Sequence, residues 1–152
     1  MKRIVYLIII MITAIACKEV FEAPPQALLK AALLNSSTEE SDTSTVTIKG
    51  IGIDNTLYKD SSLTEILFPL STKDTSKFLV SFDSVEDTIT FIYETTMEYA
   101  SMETGFYNEF KLHGITFSKN RIDSIAITDS LVTKTWNENI KLYIRPLSSG
   151  SN

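Results

Sequence analysis

Cysteine and histidine are almost missing from this chain: one of each occurs in 152 residues. A single thiol cannot build an intramolecular disulfide framework, and one imidazole leaves no His/Cys set for a zinc cluster. Positive charge is scarce as well. With 14 basic against 19 acidic side chains the formal charge is −5, so there is no basic footprint to neutralise phosphates and nucleic acid is excluded as a partner. Five glycines and four prolines are too few for a collagen-like or Gly/Pro-rich low-complexity chain. What is present is globular in composition, 43% hydrophobic and 22% charged, at a length that suits one domain with its own core.

The N-terminus reads as an address. Lys2 and Arg3 precede an apolar run from Ile4 to Ile12, then the small residues Thr13-Ala14-Ile15-Ala16 before Cys17, with no acid until Glu19. A bilayer-spanning helix needs about 20 apolar residues, so this shorter run predicts a cleavable signal over residues 1–16. Ala14-Ile15-Ala16-Cys17 resembles a bacterial lipobox, although Ala14 stands where leucine is usual. The resemblance implies cleavage between Ala16 and Cys17, with acyl chains on the Cys17 thiol and often on its new amine. The competing reading is an ordinary signal with an incidental cysteine. Lipidation is preferred because the sole cysteine falls at the one place the motif needs it. Each buried methylene contributes about 0.8 kcal/mol, so two or three acyl chains hold where one would not. Such a protein is expected in the outer membrane, lipid-anchored, on its cell-surface or periplasmic face.

Loss of Lys2 and Arg3 leaves 12 basic against 19 acidic side chains, a formal charge of −7. Lys18-Glu19, with Glu22, partly resembles the short surface-export signal of Bacteroidota lipoproteins. A solvated charged tether is the alternative. Pro24-Pro25 favours extended backbone and closes a lipidated tether over residues 17–25. A domain is expected over 26–147, followed by a small, polar, disordered tail at 148–152.

Within that domain the dominant period is two. Phe78, Val80 and Phe82 share one face, as do Ile89, Phe91 and Tyr93; Phe106, Phe110 and Leu112; and Ile140, Leu142 and Ile144. A strand with one buried face gives this alternation. Asn35 to Ser44, Asp54-Asn55, Asp60-Ser61-Ser62 and Lys119-Asn120 read as breaks. Gln26 to Leu34 is helical by propensity, yet a first strand there completes the set. The expected fold is all-β: a single antiparallel β-sandwich, immunoglobulin-like, of seven to eight strands.

From Thr45 to Ile144 runs an ordered series of short features: Gly50-Ile51-Gly52, Leu57-Tyr58, Ser62-Leu63, Phe68-Pro69-Leu70, Asp87 to Tyr93, Ser101 to Phe106, Ile122 to Ile125 and Asn139 to Tyr143. In this order they resemble a domain-of-unknown-function family of small Bacteroidota lipoproteins. The resemblance implies an address and a fold, and carries no activity. Family members usually have one cysteine just before the Gly-Phe pair and another soon after the lipidated one, a pair expected to bridge. Here Thr104 and about Phe21 hold those positions.

A search for chemistry returns little. His113 is the only imidazole base, and it shares the polar side of its strand with Glu109 and Lys111. No G-x-S-x-G, Walker or G-x-G-x-x-G motif occurs, and Gly50-Ile51-Gly52 lacks the third glycine. Glu39-Glu40 with Asp42, and Asp83 with Glu86-Asp87, are acidic enough to attract calcium but read better as solvated loops. Trp136, Tyr107 and Tyr143 are the aromatics available as a sugar platform, against a core or edge role. No catalytic residue, metal ligand or cofactor is assigned.

Seven of the eight aspartates are followed directly by Ser or Thr. Four of these pairs continue with an aliphatic residue, placing Ser84, Thr88, Ser124 and Ser130 in triplets that resemble Bacteroidota O-glycosylation acceptors. Thr88 and Ser130 are preferred for exposure. Turn formation by the aspartate followed by strand initiation is the alternative. The function expected from these readings is a non-enzymatic binding or structural role at a membrane, with a protein or glycan partner. A glycan-directed hydrolase and a fimbrial or assembly subunit are the alternatives.

Overall fold

The computed structural model describes residues 25–52 and 55–147. The signal, Cys17, Phe21 and most of the tether, together with Asp54 and the tail 148–152, lie outside the described residues. The described chain has ten strands: β1 (Leu28–Asn35), β2 (Ser44–Gly50), β3 (Thr56–Leu63), β4 (Glu65–Pro69), β5 (Thr75–Phe82), β6 (Val85–Ser101), β7 (Gly105–Phe117), β8 (Ile122–Ile127), β9 (Leu131–Val132) and β10 (Glu138–Ile144). They form a sheet of order β4-β1-β10-β8 and one of order β3-β2-β5-β6-β7-β9, packed as a sandwich. The expected all-β sandwich is there, with ten strands rather than seven or eight. The difference lies in short elements: β9 has two residues, and only Thr64 divides β3 from β4.

Alternation accounts for the packing. Leu29, Ala31 and Leu33 of β1 are fully buried, so the helical propensity of QALLKAALL yields to a strand whose every second side chain reaches the core. Val46 and Ile48, Phe78, Val80 and Phe82, Ile89, Phe91 and Tyr93, and Ile140, Leu142 and Ile144 fill the interior from both sheets. Phe68, Phe78 and Phe91 meet with ring centroids 5.1 to 5.9 Å apart. Burying one such side chain contributes about 1.5–3 kcal/mol.

Two local features depart from simple alternation. Asp60-Ser61-Ser62, expected to break the chain, runs inside β3. Asp60 takes φ 46, and the register against β2 slips between Val46 and Ile48, so the polar triplet forms a bulge instead of a turn. One pairing, β1 with β10, is parallel. There the buried Asn139 side chain accepts from Lys30 N (3.0 Å) and donates to the carbonyls of Asp129 (3.2 Å) and Leu131 (2.7 Å), tying β1 and the β9 loop to the start of β10.

The sandwich has two distinct ends. The proximal end is where the chain comes in, with the starts of β1, β5 and β10 and the ends of β2 and β4. The distal end carries the β5–β6 hairpin and the β7–β8 connection. β6 and β7 are longer than their neighbours. Thr75, the first residue of β5, pairs with Ile92, so β6 beyond Tyr93 and β7 before Phe110 project past the proximal end as a two-stranded arm.

Candidate functional site

At the distal end one carboxylate organises a whole connection. Asp87 is 1% exposed. Its Oδ1 accepts from Ser118 Oγ (2.5 Å) and Asn120 N (2.9 Å), and its Oδ2 from Arg121 N (2.7 Å) and Ile122 N (2.9 Å). The backbone from 118 to 122 is therefore wrapped round a buried anion, whose hydrogen bonds are of the charge-assisted kind. Beside it Asp83 Oδ2 takes Arg121 Nη2 at 2.7 Å and Oδ1 takes Thr45 N at 3.0 Å. Arg121, itself buried, also donates from Nη1 to the Arg145 carbonyl, and Arg145 in turn binds Asp123 Oδ1 from Nε (3.1 Å) and Nη2 (3.0 Å). Asp83 and Ser84 both have positive φ and form the tight β5–β6 turn.

This cluster contains the most concentrated carboxylates of the domain, and its geometry is that of a latch. Asp83 and Asp87 are engaged by a guanidinium, a hydroxyl and backbone N–H groups, and Glu86 is exposed. Among the described residues no group of three or more His, Cys, Asp or Glu side chains could hold a metal ion. Glu39 and Glu40 are exposed on the β1–β2 loop, where Asp42 accepts from Thr43 N (2.9 Å) and Ser44 Oγ (3.4 Å). His113 stands on the outer face of β7, exposed, its Nε2 3.6 Å from the equally exposed Glu94.

The four acceptor candidates separate by accessibility. Ser84 at the hairpin turn and Ser124 on the outer face of β8 are exposed, whereas Thr88 and Ser130 are half-buried. The expected preference for Thr88 and Ser130 is thereby reversed. Thr88 lies within a strand paired to β5, its N–H held by Ser118 Oγ at 2.9 Å, and Ser130 gives its carbonyl to Leu112 N at 2.8 Å. The aspartates before them have turn or latch roles as well: Asp129 Oδ1 accepts from Leu131 N at 2.9 Å, two residues on.

The proximal end is apolar and open. A groove of about 260 Å³ runs between Pro25–Leu28, Pro69–Leu70 and the Phe106–Phe110 stretch of the arm. Two further grooves flank it, one beneath Gly50-Ile51-Gly52 and Leu70, the other along Lys30, Tyr58 and Trp136. Trp136 Nε1 donates to the Gln26 carbonyl at 2.8 Å and its ring stays partly exposed. Tyr107 lies under Lys134 Nζ, 5.2 Å from the ring centroid, and its hydroxyl donates to Glu109 Oε1 at 2.8 Å. That hydrogen bond, with burial and the charges of Glu109 and Glu98, pushes the Tyr107 phenol above its ordinary value. Trp136 and Tyr107 thus line different grooves, and Tyr143 is half-buried on β10, so the three aromatics do not form one sugar platform.

Below the arm, buried Tyr93 anchors the root. Its hydroxyl is 2.6 Å from Ser76 Oγ, donates to the Ser71 carbonyl (2.9 Å) and accepts from Ser71 N (3.1 Å). At the arm's tip Ser101 Oγ meets Thr104 N and Oγ1 at 3.1 and 2.9 Å, and Gly105 takes φ 76, a conformation that disfavours side chains. Neither the Asp87 latch nor the arm was anticipated from the sequence. The arm has a signal there: the odd-numbered row of β6 continues past Tyr93 through Met97 and Tyr99, opposite Phe106.

A family described as a family of unknown function (DUF6452) matches residues 45–144. No curated protein and no solved structure matches the chain. The matched span runs from Thr45 in β2 to Ile144 at the end of β10 and takes in the Asp87 latch, the Tyr93 root and the whole arm, leaving β1 outside it. The chain belongs to this family of unknown function.

Proposed function

We propose that the protein is a lipoprotein of the Bacteroidota cell envelope, anchored in the outer membrane through acylated Cys17 and presenting one β-sandwich in a non-enzymatic binding or structural role. The address rests on Lys2-Arg3, the short apolar run and Ala14-Ile15-Ala16-Cys17. The observation that carries the non-enzymatic part is the state of the densest carboxylate cluster. Asp83 and Asp87 are held by Arg121, Ser118 and backbone N–H groups instead of facing a cavity, which is how structural acids are arranged. O-glycans on the exposed Ser84 or Ser124 belong to the same reading of an exported chain.

Intact mass of the protein taken from its native membrane tests this. The expected mass is that of residues 17–152 plus acyl chains, with hexose-type increments if the Asp-Ser triplets are occupied. A bare chain cut elsewhere overturns the anchor. Acyl chains without sugars keep the anchor and leave the triplets to turn formation alone.

A further inference from the structure

The geometry points to the proximal end, led by the β6–β7 arm, as a membrane-contact surface that lies in the headgroup region of the bilayer; this rests on the proposed anchoring at Cys17. Three observations carry it. First, exposed apolar side chains are segregated. Among the described residues, every exposed large apolar side chain except Leu147 lies at the proximal end or on the arm. The most exposed are Met102 at 92%, Met97 at 68%, Phe106 at 61% and Tyr99 at 57%.

Second, the arm is two-faced. The side that continues the sandwich interior carries Met97, Tyr99 and Phe106, the last two in an edge-on pair with centroids 5.4 Å apart. The opposite side carries Glu94, Thr96 and Glu98. Inside the sandwich the same row, Ile89, Phe91 and Tyr93, is covered by the facing sheet; beyond Tyr93 the apolar residues go on and the facing sheet does not. An amphipathic element with aromatic and flexible apolar side chains fits an interface between water and lipid.

Third, the chain's own attachment point is close. Pro25 and Phe106 line the same groove, and Pro25 lies eight chain steps, with seven residues between, from Cys17. Fully extended, they reach about 28 Å, which is also about the length of the arm from Tyr93 to Ser101. An anchor at Cys17 therefore confines the tip to the neighbourhood of the bilayer, where a weak apolar contact gains from high effective concentration. Trp136, hydrogen-bonded to Gln26 beside the chain start, adds a third exposed aromatic to the same end.

Chemistry limits the mode of contact. Glu98 and Glu103 near the tip argue against attraction to anionic headgroups, so the contact is apolar and insensitive to salt. Two strands leave unpaired backbone groups on their outer edges, which cannot enter hydrocarbon. Insertion therefore stops at side-chain depth.

The unmodified chain supplies the probe, because Met97 and Met102 are its only methionines after Cys17 and both are on the arm. The mature chain, coupled through the Cys17 thiol to maleimide lipid in phosphatidylethanolamine/phosphatidylglycerol vesicles, is treated with peroxide and its methionine sulfoxide content followed by mass. Oxidation is expected to slow several-fold on the vesicles relative to the uncoupled chain, unchanged in 0.5 M salt. The double substitution Tyr99→Ser, Phe106→Ser should restore most of the rate. Equal rates with and without vesicles overturn the inference. Slow oxidation already in the uncoupled chain also overturns it, since the face is then covered by the chain's own N-terminal segment or by a second copy. The coupling supplies the anchor, so the outcome is independent of what the cell attaches. Protection on vesicles with no acyl chains in the native mass removes the lipoprotein reading alone, and acylation with unprotected methionines removes the arm contact alone.

Discussion

At the distal end Asp87 gathers four donors from residues 118–122, and Arg121 links that turn to Asp83 and to the chain after β10. At the proximal end the buried polar bonding centres on the Tyr93 hydroxyl, and beyond it the arm carries Met97, Tyr99 and Phe106 largely exposed. Both ends are made of the same β6 and β7 strands, and both break the simple rule of apolar inside and polar outside. A buried charge with all its partners is a device for cohesion, because removing any one component strands the rest. Exposed apolar side chains on a projecting arm stabilise nothing inside the fold. The two ends divide the work between holding the domain together and presenting a surface.

The largest test of that division is at Asp87. Asp87→Ala leaves several buried donors without acceptors and is expected to cost about 3–5 kcal/mol, read as a lowered urea midpoint. Asp87→Asn should recover only part of this, since its amide sets an N–H₂ against N–H donors. An Asp87→Ala protein within 1 kcal/mol of its parent would sink the latch interpretation. Next is the arm's root: Tyr93→Phe removes a hydroxyl bonded to Ser71 and Ser76, with an expected loss of about 1–2 kcal/mol by the same measurement.

The arm itself should be nearly silent in such an experiment. Tyr99→Ser with Phe106→Ser is expected to stay within about 1 kcal/mol of the parent, which sharpens the contrast with Asp87; a large loss would mean that the arm is part of the core. The smallest effect is a titration. Tyr107 donates to Glu109, and its phenol is raised mainly by that bond. A raised value in the folded state means that the contribution to stability is present at neutral pH and disappears as pH climbs through the folded value above 10. Glu109→Gln should return the phenol toward the ordinary tyrosine range in a ring-carbon NMR titration, and an unmoved titration would rule out Glu109 as the main cause.

Much of this architecture was legible in the residues. The alternations at Phe78–Phe82, Ile89–Tyr93 and Ile140–Ile144 became β5, β6 and β10 with the expected faces inward. QALLKAALL could be read either way, because leucine and alanine favour helix in isolation and only tertiary burial of Leu29, Ala31 and Leu33 selects the strand. The Asp60 triplet misled because polar residues with a turn-like order also make bulges. In the sequence Asp87 is one of seven Asp-Ser/Thr pairs, and its donors come from more than 30 residues downstream, a separation that no local pattern reports. The arm was hidden for another reason. Met97, Tyr99 and Phe106 alternate as a core strand does, and alternation cannot tell whether a second sheet stands opposite.

The parallel pair of β1 and β10 has a consequence for the order of assembly. These are the first and last strands among the described residues, and Asn139 closes onto Lys30 across 109 positions of chain. β1 sits between β4 and β10, so its second edge waits for β10. Contacts this remote slow folding, since the loop must close before burial rewards it. A growing or partly delivered polypeptide can pair β5 with β6 and β6 with β7, but its four-stranded sheet stays unfinished until β10 has arrived. Such a chain remains threadable for as long as it is incomplete.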